Sequence, residues 1–156
     1  MDRKTIEALV ADNRLRKVNP SASRAEILIG RARKDLAVAP KIAEASEEIA
    51  YTAAYGAMFK ATLAFLAVRG LRLGTTEQRK VAVLFLKAAL PAALDPVLSA
   101  YDKMRQRRND LAYDAGLAVS RKDADEAIKQ ATLLIDAIGK EIDPAIAEAK
   151  SKKKPV

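Results

Sequence analysis

The sequence predicts an all-α protein, an antiparallel bundle of four to five main helices, and three observations carry that prediction. Half of the 156 residues are hydrophobic and only 4% are aromatic, and alanine and leucine supply much of the apolar share, a balance that favours helix over strand. Apolar residues recur at spacings of three and four along most of the chain. Asn19-Pro20, Gly70, Pro91 and Gly116 break those runs and mark where helices end. A chain of this length buries one core without disulfides or metal.

Taken in order, Ile6, Leu9, Val10 and Leu15 predict a lead-in helix over 5–18, within a segment 1–20 closed by Asn19-Pro20. Ser21 or Ser23 caps the next helix, with Glu26 completing a capping box if Ser23 is the cap, and Pro40 predicts a kink or an early stop near Ala39. Ser46 before Glu47-Glu48 places acids at a helix start, and this helix, the expected centre of the core, runs to Gly70 as its C-terminal cap. Its apolar stretch, 50–68, carries Thr52, Gly56, Lys60 and Thr62, so it reads as a buried helix rather than a membrane span, with Gly56 permitting close helix packing. Residues 71–75 read as a loop. Thr76-Glu77-Gln78-Arg79 opens a third core helix, with Val81, Leu84, Phe85, Ala88 and Ala89 inward and Pro91 ending it. Asp95-Pro96 starts a helix that runs to Asp114 and stops at Gly116. Ser120 with Asp123 forms a cap for the last core helix, built on Ala124, Ala127, Ile128, Ala131, Leu134, Ile135 and Ile138, and Pro144 allows a kinked or separate final turn. The chain divides into the lead-in helix at 1–20, the bundle at 21–148 and a basic, disordered tail at 149–156.

The sequence contains no cysteine and no histidine, which removes thiol nucleophiles, imidazole acid–base catalysis and the usual zinc ligand sets. No metal site and no cofactor are expected. Twenty-eight basic against 20 acidic residues leave a net charge of +8, and the part of that excess outside the tail points to a polyanionic partner such as RNA. The start, Met1-Asp2-Arg3-Lys4-Thr5, has no apolar core behind it and does not read as a secretory signal, so a cytoplasmic protein without membrane attachment is expected.

One helix carries residues that a packed bundle alone does not require. Val97, Tyr101, Met104, Arg108, Leu111 and Ala115 follow an alternating four–three spacing, an inward-facing seam that includes a guanidinium. A charge in such a seam requires a carboxylate, water or an anionic ligand. Beside it runs a second stripe, Arg105, Asn109 and Tyr113, one turn apart. The two stripes together make a cationic, hydrogen-bonding surface with one aromatic ring, a recess suited to a phosphate and a base. The plainer reading pairs Arg108 with Asp102 or Asp110 and leaves Tyr113 at the rim, and Arg107 points outward in either case. Tyr51 and Tyr55 lie one turn apart on the central helix, in the core or facing the same recess.

Three segments, Ala32-Arg33-Lys34-Asp35-Leu36, Ala54-Tyr55-Gly56-Ala57-Met58-Phe59 and Met104-Arg105-Gln106-Arg107-Arg108-Asn109-Asp110-Leu111-Ala112-Tyr113-Asp114, together resemble the HEPN superfamily of small helical bundles over about 23–138. Members of that superfamily typically carry an Arg, an adjacent polar residue and, a few positions on, a His near one end of a long helix. Two protomers bring these motifs together, and active members are metal-independent endoribonucleases, often toxins paired with a nucleotidyltransferase antitoxin. The resemblance places Arg108 and Asn109 at the first two motif positions and Tyr113 where the His would stand, as in a standalone branch with an Arg-Asn and Tyr-Asp pattern. It implies a homodimer in which Arg108, Asn109 and Tyr113 are the catalytic set. Arg105 and Arg108 hold RNA phosphate, with Asp110, Asp114 and Tyr55 in support. Metal-free RNA cleavage needs a base for the 2′-hydroxyl, an acid for the leaving oxygen and cations for the phosphorane. A tyrosine with an ordinary pKa of about 10 is a poor base at neutral pH. The expectation is therefore an RNA-acting protein of toxin–antitoxin or defence type with weak or lost catalysis. The alternatives are a non-catalytic RNA- or nucleotide-binding module, a partner subunit of a nucleotidyltransferase, and a purely structural dimer.

Overall fold

In the computed structural model, which describes residues 1–153, the elements run α1 (Arg3–Ala11), β1 (Leu15–Lys17), α2 (Ala22–Ala45), α3 (Glu47–Val68), β2 (Leu71–Leu73), α4 (Gln78–Ala89), a 3₁₀ turn (Ala92–Leu94), α5 (Asp95–Tyr113) and α6 (Arg121–Lys153). The all-helical class and the bundle hold. α3 is the centre: it packs against α2 on one side and α6 on another, while α4 and α5 close the remaining flank. Ala50, Ala54, Ala57, Ala61 and Ala64 are buried along α3, and these small side chains let neighbouring helices approach closely. α3 is long and apolar enough to cross a membrane by length and composition, and 61% of its most apolar window is buried inside the bundle. Lys60, the charge inside it, pairs with Asp35 of α2.

Ser21, not Ser23, caps α2, accepting from the Arg24 amide at 3.1 Å. Ser46 caps α3, accepting from Ile49 N at 3.2 Å. Gly70 follows α3 with φ +68°, the left-handed conformation that ends a helix at little steric cost in glycine. The α6 cap is reciprocal: Ser120 Oγ accepts from Asp123 N, and Asp123 Oδ2 accepts from Ser120 N, each at 3.0 Å.

Six readings are corrected. The lead-in helix stops at Ala11, because Asn13 turns the chain with φ 60°, and 15–17 then form a strand instead of a last helical turn. Its antiparallel partner is 71–73, expected to be a loop, in the register Leu15↔Leu73, Arg16↔Arg72 and Lys17↔Leu71. The approach is so close that a side chain at Gly74 would fall 2.2 Å from the Asn13 carbonyl oxygen. Pro40 does not stop α2, which runs on to Ala45 with Ala39 and Ala43 buried on either side of it. α6 likewise passes through Pro144, so Pro144 starts no separate turn, and 149–153 of the segment expected to be disordered are helical. Burial of Ile142 and Ile146 holds that turn down, with the Lys150–Glu26 ion pair to α2 and lysines where the helix dipole favours cations. Residues 154–156 of that segment lie outside the described residues. Gly56 does not mediate close packing: a methyl group there would meet nothing within 4 Å outside its own helix backbone.

Candidate anion site between α4 and α5

The first half of α5 behaves as a seam. Val97, Leu98, Tyr101 and Met104 are buried, Arg108 and Leu111 are half-buried, and Ala115 lies beyond the helix, exposed. Tyr101 and Tyr55 are 0% and 1% exposed, their ring centroids 5.5 Å apart. Neither hydroxyl has a hydrogen-bond partner among the described residues. Thr62, beside Tyr101, donates its hydroxyl to the Met58 carbonyl at 2.9 Å.

Arg108 lies over the Tyr55 ring with its guanidinium carbon 5.6 Å from the centroid, and among the described residues it makes no ion pair. Pairing with Asp102 is excluded by geometry, because that carboxylate accepts from Arg105 at 2.8 Å and Gln106 at 3.1 Å. Burial raises Asp102 but those two donors outweigh it, so the carboxyl stays below its usual range. Burial pushes the Tyr55 phenol above its ordinary value, against the pull of Arg79, Arg108 and Arg105 around it. Tyr55 is therefore a neutral, buried phenol beneath the Arg108 guanidinium.

On the neighbouring face, Arg105 and Asn109 line a recess of about 360 Å³ together with Thr75, Glu77, Arg79 and Lys80 from the start of α4. That helix start is unusual. Glu77 sits at the cap with φ 48°, provides no side-chain cap, and no acid occupies the first turn. The orphan amides of a helix N-terminus attract anions, and two cations there amplify that potential. Sequence reasoning missed Arg79 and Lys80. The available signal was a pair of cations in a first helical turn, where the dipole disfavours them.

The other expected site residues are dispersed. Tyr113 is the last residue of α5 and is 86% exposed, so helical spacing brings it near Asn109 in sequence but not into the recess. Asp114 accepts from Gly116 N at 2.9 Å and shapes the turn after the helix, while Asp110 is exposed. Arg107 does not point outward. It donates to the Ala118 carbonyl at 2.7 Å and to Asp123 at 3.0 Å, and it covers the Tyr51 ring, tying the end of α5 to the start of α6.

The chain is a small helical bundle with a cation-lined recess at the α4–α5 edge and neither histidine nor cysteine. A family model for the HEPN domain matches residues 25–142, and the chain belongs to that family. Comparison with curated proteins finds no match.

Proposed function

We propose that this chain acts on RNA or a nucleotide, holding phosphate at the α4–α5 edge through Arg79, Arg105 and Arg108, with Asn109 as a hydrogen-bonding neighbour. The observation that carries this reading is that Arg108 lies over the buried Tyr55 ring with no ion pair among the described residues, while Arg79 and Arg105 line the adjacent recess. Among the described residues Arg108 has no carboxylate to satisfy it, and a bound phosphate supplies that charge. Family membership supports the same class of ligand, and it supports a homodimer in which two such edges face one long polyanion.

Binding outruns cleavage in this proposal. The Tyr55 phenol is neutral and its hydroxyl is buried away from the recess, so it cannot accept the 2′-hydroxyl proton, and Tyr113 stands in solvent. Asp114 is committed to its turn. Losing a placed acid or base lowers rates by about 10²- to 10⁴-fold, so any nuclease activity of a toxin–antitoxin or defence type is weak. The exposed end of α5 favours the second reading, a non-catalytic module, which differs in outcome rather than in site.

The test incubates purified protein with structured and single-stranded RNA in EDTA and follows both binding and chain length. Expected are complexes whose affinity falls steeply with salt, little or no cutting, and a log–log salt slope that drops by about 0.7 per phosphate contact removed in Arg108→Ala or Arg79→Ala. RNA binding unaltered by both substitutions, or cleavage that survives Arg108→Ala, excludes this site.

A further inference from the structure

A second cavity, of about 460 Å³, opens between the β1–β2 pair, the start of α2 and the outer face of α3. Its floor is aliphatic: Leu63, Leu66, Leu71 and Leu73 line it. Arg24 and Arg72 are also among its lining residues, and among the described residues neither makes an ion pair. Both cations stand where local electrostatics disfavours them. Arg24 occupies the first turn of α2, at the positive end of its dipole, with no acid beside it in that turn. Arg72 is the cross-strand partner of Arg16, and like charges directly opposite destabilise a strand pair.

We propose that this cavity is a binding site for a small aliphatic carboxylate, its acid head between Arg24 and Arg72 and its hydrocarbon body on the leucine floor. The volume lies within the range of small-molecule sites, about 300–1,000 Å³. The lining disfavours a nucleotide. Phe59 is its one aromatic, and that ring already carries Arg79 at 5.0 Å from its centroid. Of its polar side chains, Gln78 donates to the Gly74 carbonyl at 2.7 Å and the Ser21 hydroxyl caps α2, leaving Asn19 as the one amide free of such a bond among the described residues. Little remains to read a base edge, whereas a carboxylate needs only the guanidiniums and its chain only the leucines.

Isothermal titration calorimetry of the full chain with octanoate, octanol and AMP tests this. Octanoate is expected to bind at one site per chain, with AMP failing to displace it. Arg24→Gln and Arg72→Gln, both at exposed positions, are expected to weaken octanoate by about tenfold each while octanol binding stays unchanged. A cavity-filling Leu63→Trp that retains the wild-type circular dichroism spectrum is expected to abolish both. Absence of octanoate binding at millimolar concentration, octanoate binding indifferent to the arginine substitutions, or displacement by AMP overturns the proposal. RNA binding by the α4–α5 edge persists in the Arg24→Gln variant, which separates failure here from failure of the phosphate site.

Discussion

Tyr101 illustrates how a single buried atom sets an energetic balance. Its ring fills the space between α3 and α5, but its hydroxyl is buried without a partner, and an orphaned buried donor costs about 1–3 kcal/mol. Tyr101→Phe keeps the ring and removes the orphan, so urea unfolding is expected to show equal or greater stability, by up to about 1 kcal/mol. Burial raises the phenol of Tyr101, and likewise those of Tyr51 and Tyr55. Because their protons are held more tightly when folded, their contribution is complete below the ordinary value near 10 and is lost as pH climbs beyond it. Arg108 was legible from its seam position alone. Its partner was not: a spacing argument shows that a charge faces inward but cannot show that a ring from another helix, Tyr55, is what it meets.

At the scale of elements, the clearest joint is the one between α5 and α6, where Ser120, Asp123 and Arg107 share hydrogen bonds. Ser120→Ala is expected to lower stability by about 1 kcal/mol in urea unfolding, the usual worth of an N-cap. The bonds from Ser120, then from Arg107, hold the Asp123 carboxyl below its usual range. A depressed carboxyl stabilises the fold above the unfolded value and ceases to do so as pH falls through the folded one, so Asp123→Asn flattens the acid limb of the stability profile. This cap was readable because its two residues are three apart. The caps of α2 and α3 and the stop at Gly70 were readable for the same reason, since helix ends depend on local chemistry. The strand pair was not. Leu15 satisfies a helical spacing as well as a strand, and only Leu73, far along the chain, decides between them. Pro40 and Pro144 misled in the opposite direction, because tertiary burial on both sides outweighs one missing amide donor.

At the scale of the whole molecule, the family-matched region begins at residue 25, yet Leu9 and Leu15 upstream of it are buried in the same core. Leu15→Ala is expected to cost about 3 kcal/mol in urea unfolding, as for other fully buried leucines. An unchanged midpoint would show that the upstream segment is ornamental. Cationic Arg79 and Lys80 belong to this scale too: their place in the first turn of α4 is the one local sign, and they line a recess only because α5 brings Arg105 and Asn109 alongside.

The antiparallel pairing of 15–17 with 71–73, together with the 2.7 Å bond from Asp2 N to the Ala88 carbonyl, also orders events during synthesis. Residues 2 and 15–17 are made well before the segments they dock on. α2 and α3 can associate while the opening segment still waits for its strand partner and then for the end of α4. Until that late docking, Leu9 and Leu15 stay uncovered on a nascent chain. The opening segment is thus where a slowed or truncated translation product is most exposed to chaperones and proteases.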